Sequence, residues 1–101
     1  MMKTVILDGK IHDTPQKVYE GVYKALNDGY MRGKNLDGLW DFLSTDVERP
    51  FCISWKNVEV FKKAYPQVFS DFIALFDRLI GYDEKMRQGK NSFSYQLDVI
   101  S

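Results

Sequence analysis

Three short runs rich in β-branched and aromatic residues, Thr4–Leu7, Phe51–Trp55 and Phe93–Ile100, are separated by segments whose apolar residues recur at helical spacing. This alternation constrains the fold more than any other feature of the chain. Strands that alternate with helical patterns read as βαβ units, which make consecutive strands parallel. The expected fold is therefore α/β: one small domain over residues 1–101, with a three-stranded parallel sheet packed by three or four helices. A chain of 101 residues is long enough to bury a core without disulfides or metal.

The elements follow in order. Thr4–Leu7 hardly alternates, so part of it is expected to be buried on both faces, and Asp8-Gly9 closes it with a turn. Thr14 is an N-cap, with Pro15 at the first helical position. Val18, Val22 and Leu26 then predict a helix from Pro15 to Ala25 or Leu26. Asn27-Asp28-Gly29 stops it, and residues 30–34 connect to a second helix. That helix shows Leu36, Leu39, Trp40 and Leu43 on one face and is expected to end at Ser44-Thr45. Arg49 is extended because it precedes Pro50. The strand Phe51–Trp55 places Phe51, Ile53 and Trp55 on one face and Cys52 and Ser54 on the other. A short helix over Asn57–Ala64 precedes the clearest one, which opens at Pro66. Its apolar stripe is Phe69, Phe72, Ile73, Phe76, Leu79 and Ile80, and Gly81 reads as its stop. Residues 82–91 are polar without a clean period and read as an exposed loop before the last strand.

Charge and composition narrow the function. Fourteen basic and fourteen acidic residues balance, so no overall basic footprint points to nucleic acid and no polybasic tail points to a membrane. Cys52 is the single cysteine, which precludes an internal disulfide and reads as a buried core thiol. With no signal-like N-terminus and no apolar run of spanning length, the expected location is the cytoplasm. His12, the sole histidine, sits beside a turn and reads as solvated. No spacing fits zinc, no glycine-rich loop fits a phosphate cradle, and no cofactor is expected. Trp40 and Trp55 both complete apolar faces and read as core.

The charge is nonetheless uneven. Between Leu36 and Glu48 stand Asp37, Asp41, Asp46 and Glu48, with no lysine or arginine. Asn35 is placed to cap this helix, and Asp37 lies in its first turn, where the helix dipole favours an acid. Asp41, four residues on, shares a face with Asp37 and gains no such benefit. Three readings are open: an acidic surface for a basic partner, a solvated face, and a carboxylate pair for acid–base or Mg²⁺ chemistry.

The stretch Gly33-Lys34-Asn35-Leu36-Asp37-Gly38-Leu39-Trp40-Asp41-Phe42-Leu43 resembles the signature helix of barstar-type ribonuclease inhibitors, Gly-x-Asn-Leu-Asp-Ala-Leu-Trp-Asp-x-Leu, with Gly38 where alanine is usual. The resemblance implies a barstar-like α/β fold and an inhibitor or immunity protein in a bacterial cell. It implies that the acidic helix and the loop before it plug the active site of a cognate ribonuclease or ribonuclease-like toxin. Asp37 and Asp41 match the family's two helical contact acids, Asp41 matching its dominant hot spot, and Asn35 and Gly38 lie at the rim. The surroundings depart from the family pattern. Met31 stands where a tyrosine is common, with Tyr30 one step earlier. Lys34 replaces an acid, with Arg32 nearby, and Thr45 and Asp46 replace a glycine and an aromatic. Asp77, next to Arg78, is an out-of-register substitute for a contact glutamate on the last helix. The expected partner-binding set is thus Asp37, Asp41, Asn35, Gly38, Tyr30, Met31, Thr45, Asp46 and Asp77, on a protein that is monomeric when free. The alternatives are a non-inhibitory interaction or regulatory domain, using another surface such as the 82–91 segment, and a small enzyme built on the paired acids.

Overall fold

The computed structural model describes residues 3–27, 33–87 and 93–98. The elements are β1 (Lys3–Asp8), α1 (Pro15–Asn27), α2 (Leu36–Asp41) running on into a π-helical turn (Phe42–Asp46), β2 (Phe51–Lys56), α3 (Val58–Ala64), α4 (Pro66–Arg87) and β3 (Phe93–Leu97). The strands form one sheet in the order β1-β2-β3, and both pairings are parallel. The register aligns Lys3 with Phe51 and Phe93, Val5 with Ile53 and Tyr95, and Leu7 with Trp55 and Leu97. The α/β fold expected from the alternating pattern is the one observed.

Side chains alternate across a strand, so this register gathers Val5, Leu7, Phe51, Ile53, Trp55 and Phe93 on one buried face. The helices cover that face. Tyr19 of α1 meets Phe72 of α4 edge-on at 5.2 Å, and Tyr23 of α1 meets Phe42 of the π turn at 5.0 Å. Trp55 lies at the centre, ringed by Phe61, Phe69, Phe72 and Phe76 at 5.3–6.4 Å. Its indole N–H is buried without a hydrogen-bond acceptor among the described residues.

The opposite sheet face is open along its outer strands, while Ser54 on the central strand is buried. Thr4, Ser94 and Gln96 are exposed, and Ile6 is 52% exposed. β1 therefore alternates, contrary to the expectation of burial on both faces. Cys52 lies on the same side and is only half-buried, its Sγ 3.5 Å from Thr4 Oγ1, so it is not the core thiol expected from its apolar neighbours. His12 also departs from its reading. It is half-buried, and its Nδ1 accepts the Asp8 N–H at 3.0 Å, closing the turn after β1. Gly9 in that turn has no substitute, because a Cβ would stand 2.1 Å from the Asn57 carbonyl oxygen. Asn57, in the left-handed region at φ 51°, donates its side-chain amide to Asp8 Oδ1 at 2.8 Å.

The largest correction concerns α4. Gly81 does not stop it: the helix runs to Arg87, so Tyr82–Arg87, expected as loop, are helical, while residues 88–91 lie outside the described set. Asp83 explains the extension. It follows Leu79 by four positions and continues the buried stripe as a carboxylate, which polarity alone assigns to solvent. Arg49 meets it with two charge-assisted hydrogen bonds, Nε to Oδ2 at 2.8 Å and Nη2 to Oδ1 at 2.9 Å. The side chains are 1% and 0% exposed. Smaller differences lie at the ends of elements. The helix starting at Leu36 passes Ser44-Thr45 as a π turn to Asp46, and β3 ends at Leu97, with Asp98 irregular and residues 99–100 outside the described set.

Asp83→Asn leaves the Arg49 guanidinium buried with its partner's charge gone. The expected cost is about 3–5 kcal/mol, read as a lower urea midpoint at unchanged slope.

The Asn57 amide, and then the Lys10 N–H, hold the Asp8 carboxyl below its ordinary value of 3.8. A depressed carboxyl contributes stability that is present above 3.8 and is lost as pH falls through the lower folded value. Asn57→Gly keeps the left-handed backbone and removes the donor. It should flatten the acid limb of the stability–pH curve below pH about 4, with the neutral limb parallel to that of the parent.

Candidate functional site

The acidic stretch is held from both ends and from beneath. Asn35 is extended (φ −152°, ψ 171°), and its side-chain oxygen accepts the Gly38 N–H at 2.7 Å, which makes it the N-cap of α2. Leu39, Phe42 and Leu43 are buried, and Leu36 and Trp40 are half-buried against the core. The face left over presents Asp37 and Asp41, both exposed. A six-residue helix has little stability of its own, so this tertiary packing maintains it.

Beyond Asp41 the helix widens. Thr45 Oγ1 donates to the Asp41 carbonyl at 2.6 Å, and Ser44 Oγ reaches the same oxygen at 3.4 Å. A hydroxyl on the carbonyl one turn back competes with the α-helical ladder, and the backbone here follows the wider i→i+5 pattern. In a π turn, residues five apart come into line much as residues four apart do in an α-helix. Asp46 therefore continues the sequence of exposed acids Asp37 and Asp41, and its carboxylate lies 3.0 Å from Thr45 Oγ1. Thr45 is also exposed.

The loop before the helix is tied to α1. The Tyr23 hydroxyl donates to the Gly33 carbonyl at 2.8 Å. Lys34, the base nearest the acids among the described loop residues, is paired with Glu20 at 2.8 Å, and this pairing holds the Glu20 carboxyl below its ordinary value of 4.5. Gly38 faces this loop at close range. A Cβ on it would stand 2.7 Å from Gly33 O and 3.2 Å from Gly33 Cα. Glycine at this position lets the loop backbone lie one methyl closer to α2.

The structure brings Asn35, Asp37, Gly38, Asp41, Thr45 and Asp46 into one continuous surface. Asp77 is directed elsewhere: it accepts the Tyr95 hydroxyl at 2.5 Å, and burial together with this carboxylate pushes the Tyr95 phenol up to about 12. Its neighbour Arg78 does reach α2, with its guanidinium 4.1 Å from the centre of the Trp40 ring. Trp40 is thus an edge residue shared by core and surface. Tyr30 and Met31 lie outside the described residues. Arg78 and Tyr82, whose ring also packs on Trp40, carried no local signal, because their partner is on another helix. Among the described residues, no three His, Cys, Asp or Glu side chains gather as metal ligands would.

Comparison with known families matches residues 2–98 to the model described as Barstar (barnase inhibitor). A search of curated proteins returns no match.

Two of the helical glycines, Gly38 and Gly81, make a controlled pair. Gly81 is exposed and has nothing within 4 Å of a would-be Cβ, whereas Gly38 faces backbone. Gly81→Ala should gain about 1 kcal/mol of helix propensity. Gly38→Ala should gain none of it and should shift the Gly33 amide resonance as the loop is pushed away. Chemical denaturation and amide spectra of the two variants check both outcomes.

Proposed function

The chain belongs to the barstar family, and from that membership we propose that it is an intracellular inhibitor or immunity protein that blocks the active site of a cognate ribonuclease or ribonuclease-like toxin. The observation that carries this reading is the pair Asp37 and Asp41, exposed side by side on a capped helix whose other face is locked in the core.

A ribonuclease must bind a phosphodiester, and it does so with arginine, lysine and histidine donors. Carboxylates fixed on a helix offer those donors the charge they are built to receive. Because α2 is already ordered, little conformational entropy is lost on docking. The exposed acids Asp37, Asp41, Asp46 and Glu48 also present one sign of charge along this edge, which speeds encounter with a basic cleft. The Lys34 departure from the family pattern is compatible with this role, since its ammonium is directed to Glu20 on α1. Among the described residues, no helix is long and apolar enough to cross a membrane.

The test is inhibition of a barnase-type ribonuclease at two salt concentrations. Stoichiometric inhibition is expected, with Asp41→Ala weakening it by at least about thirtyfold and added salt slowing association. An absence of inhibition, or an Asp41→Ala variant that inhibits as well as the parent, would sink the reading.

A further inference from the structure

Next to the acidic helix the surface changes sign. Trp40 is the hinge of that change. One of its neighbours is the Tyr82 ring, edge-on at 5.5 Å and 76°. Another is the Arg78 guanidinium, stacked 4.1 Å from its centre. Trp40, Arg78, Gly81, Tyr82 and Lys85 line an open groove of about 400 Å³. On the other side of Arg78 a second cleft of about 210 Å³ is closed by Leu36, Asp37, Asp71 and Leu75. Arg78 is therefore the divide between a cationic, aromatic groove and the acidic edge of α2.

Three features make Arg78 ready for a ligand. It is exposed, and among the described residues it enters no ion pair. Stacking on an indole uses the flat face of the guanidinium and leaves the N–H donors at its edge directed outward. Stacking also restricts a side chain that would otherwise lose much rotamer freedom on binding. The family resemblance expects an acid in contact at this part of the last helix, and Asp77 is turned to Tyr95. The group presented beside Asp37 is thus a cation, and Lys85 adds a second in the same groove.

We propose that Arg78, seated on Trp40 and supported by Lys85, is a specificity-determining contact that receives an aspartate or glutamate of the protein partner. The partner face that fits carries a basic pocket for Asp37 and Asp41 and, beside it, an acidic rim for Arg78. The identity of that partner as a nuclease rests on the inhibitor reading above; the carboxylate-binding chemistry of the groove does not. Charge complementarity selects a protein over a nucleic acid. A polyphosphate chain entering the groove would run into Asp37 and Asp71 across the Arg78 divide, whereas a single carboxylate meets only the two cations.

The test uses the full chain, ¹⁵N-labelled, titrated separately with acetylated tetraglutamate amide, tetralysine amide and a short oligodeoxythymidylate. Tetraglutamate should move the Trp40 indole N–H and Arg78 Nε–H resonances with millimolar affinity, and tetralysine should leave them in place while moving amides of α2. Arg78→Ala should weaken the tetraglutamate effect by roughly threefold to tenfold, with Arg78→Lys intermediate. The proposal is overturned if tetraglutamate leaves those two resonances unmoved, if Arg78→Ala binds it as well as the parent, or if the oligonucleotide binds the groove more tightly. No ribonuclease is present in this titration, so its failure and a failure of inhibition are separate results.

Discussion

The Arg49–Asp83 pair is the interaction on which the rest of the molecule depends. Two nearly inaccessible charges stabilise a fold only when the geometry is good and the remaining hydrogen-bonding capacity is filled. Both conditions hold. Besides its two bonds to Arg49, Asp83 Oδ2 accepts the Phe93 N–H at 2.9 Å. Arg49 also donates through Nη1 to the Val47 carbonyl at 2.7 Å and stacks on Phe51 at 4.9 Å. One pair thereby fixes the entry to β2, the last turns of α4 and the start of β3, three points far apart in the chain.

The candidate surface on α2 depends on that anchorage. Because Asp83 holds the end of α4 down, Tyr82 and Arg78 on the same helix are placed against Trp40. Trp40 in turn packs α2 on its outer side, while Leu39, Phe42 and Leu43 hold it from within. The acids on α2 are set by this packing and by the Asn35 cap, since the helix is too short to be stable by itself. Gly33, just before α2, is held by Tyr23 and by the closeness that Gly38 permits.

Most of the fold was legible in the sequence because its signals are local. Alternation in Phe51–Trp55, the i, i+3, i+4 stripe of Phe72–Leu79 and the Thr14-Pro15 start are each written in neighbouring residues. The placement of the candidate site on a capped helix was legible for the same reason: Asn35, Asp37 and Asp41 lie within seven consecutive positions of one motif. What escaped depends on partners distant in the chain. Asp83 looks like loop polarity until Arg49, thirty-four residues earlier, is beside it. Gly81 looks like a stop until the anchorage beyond it is seen. Cys52 looks like core until its sheet face proves uncovered, and Arg78 looks like an ordinary surface base until it lies on Trp40.

Occupation of a nuclease active site by the acidic helix is the central claim. Its most direct measurement is competition for that site: a barnase-type ribonuclease is loaded with a bound mononucleotide, and release of the nucleotide is followed as this protein is added. The account predicts complete displacement at one equivalent, with Asp41→Ala displacing far less at the same concentration. A ternary complex, in which the protein binds while the nucleotide stays in place, would contradict it.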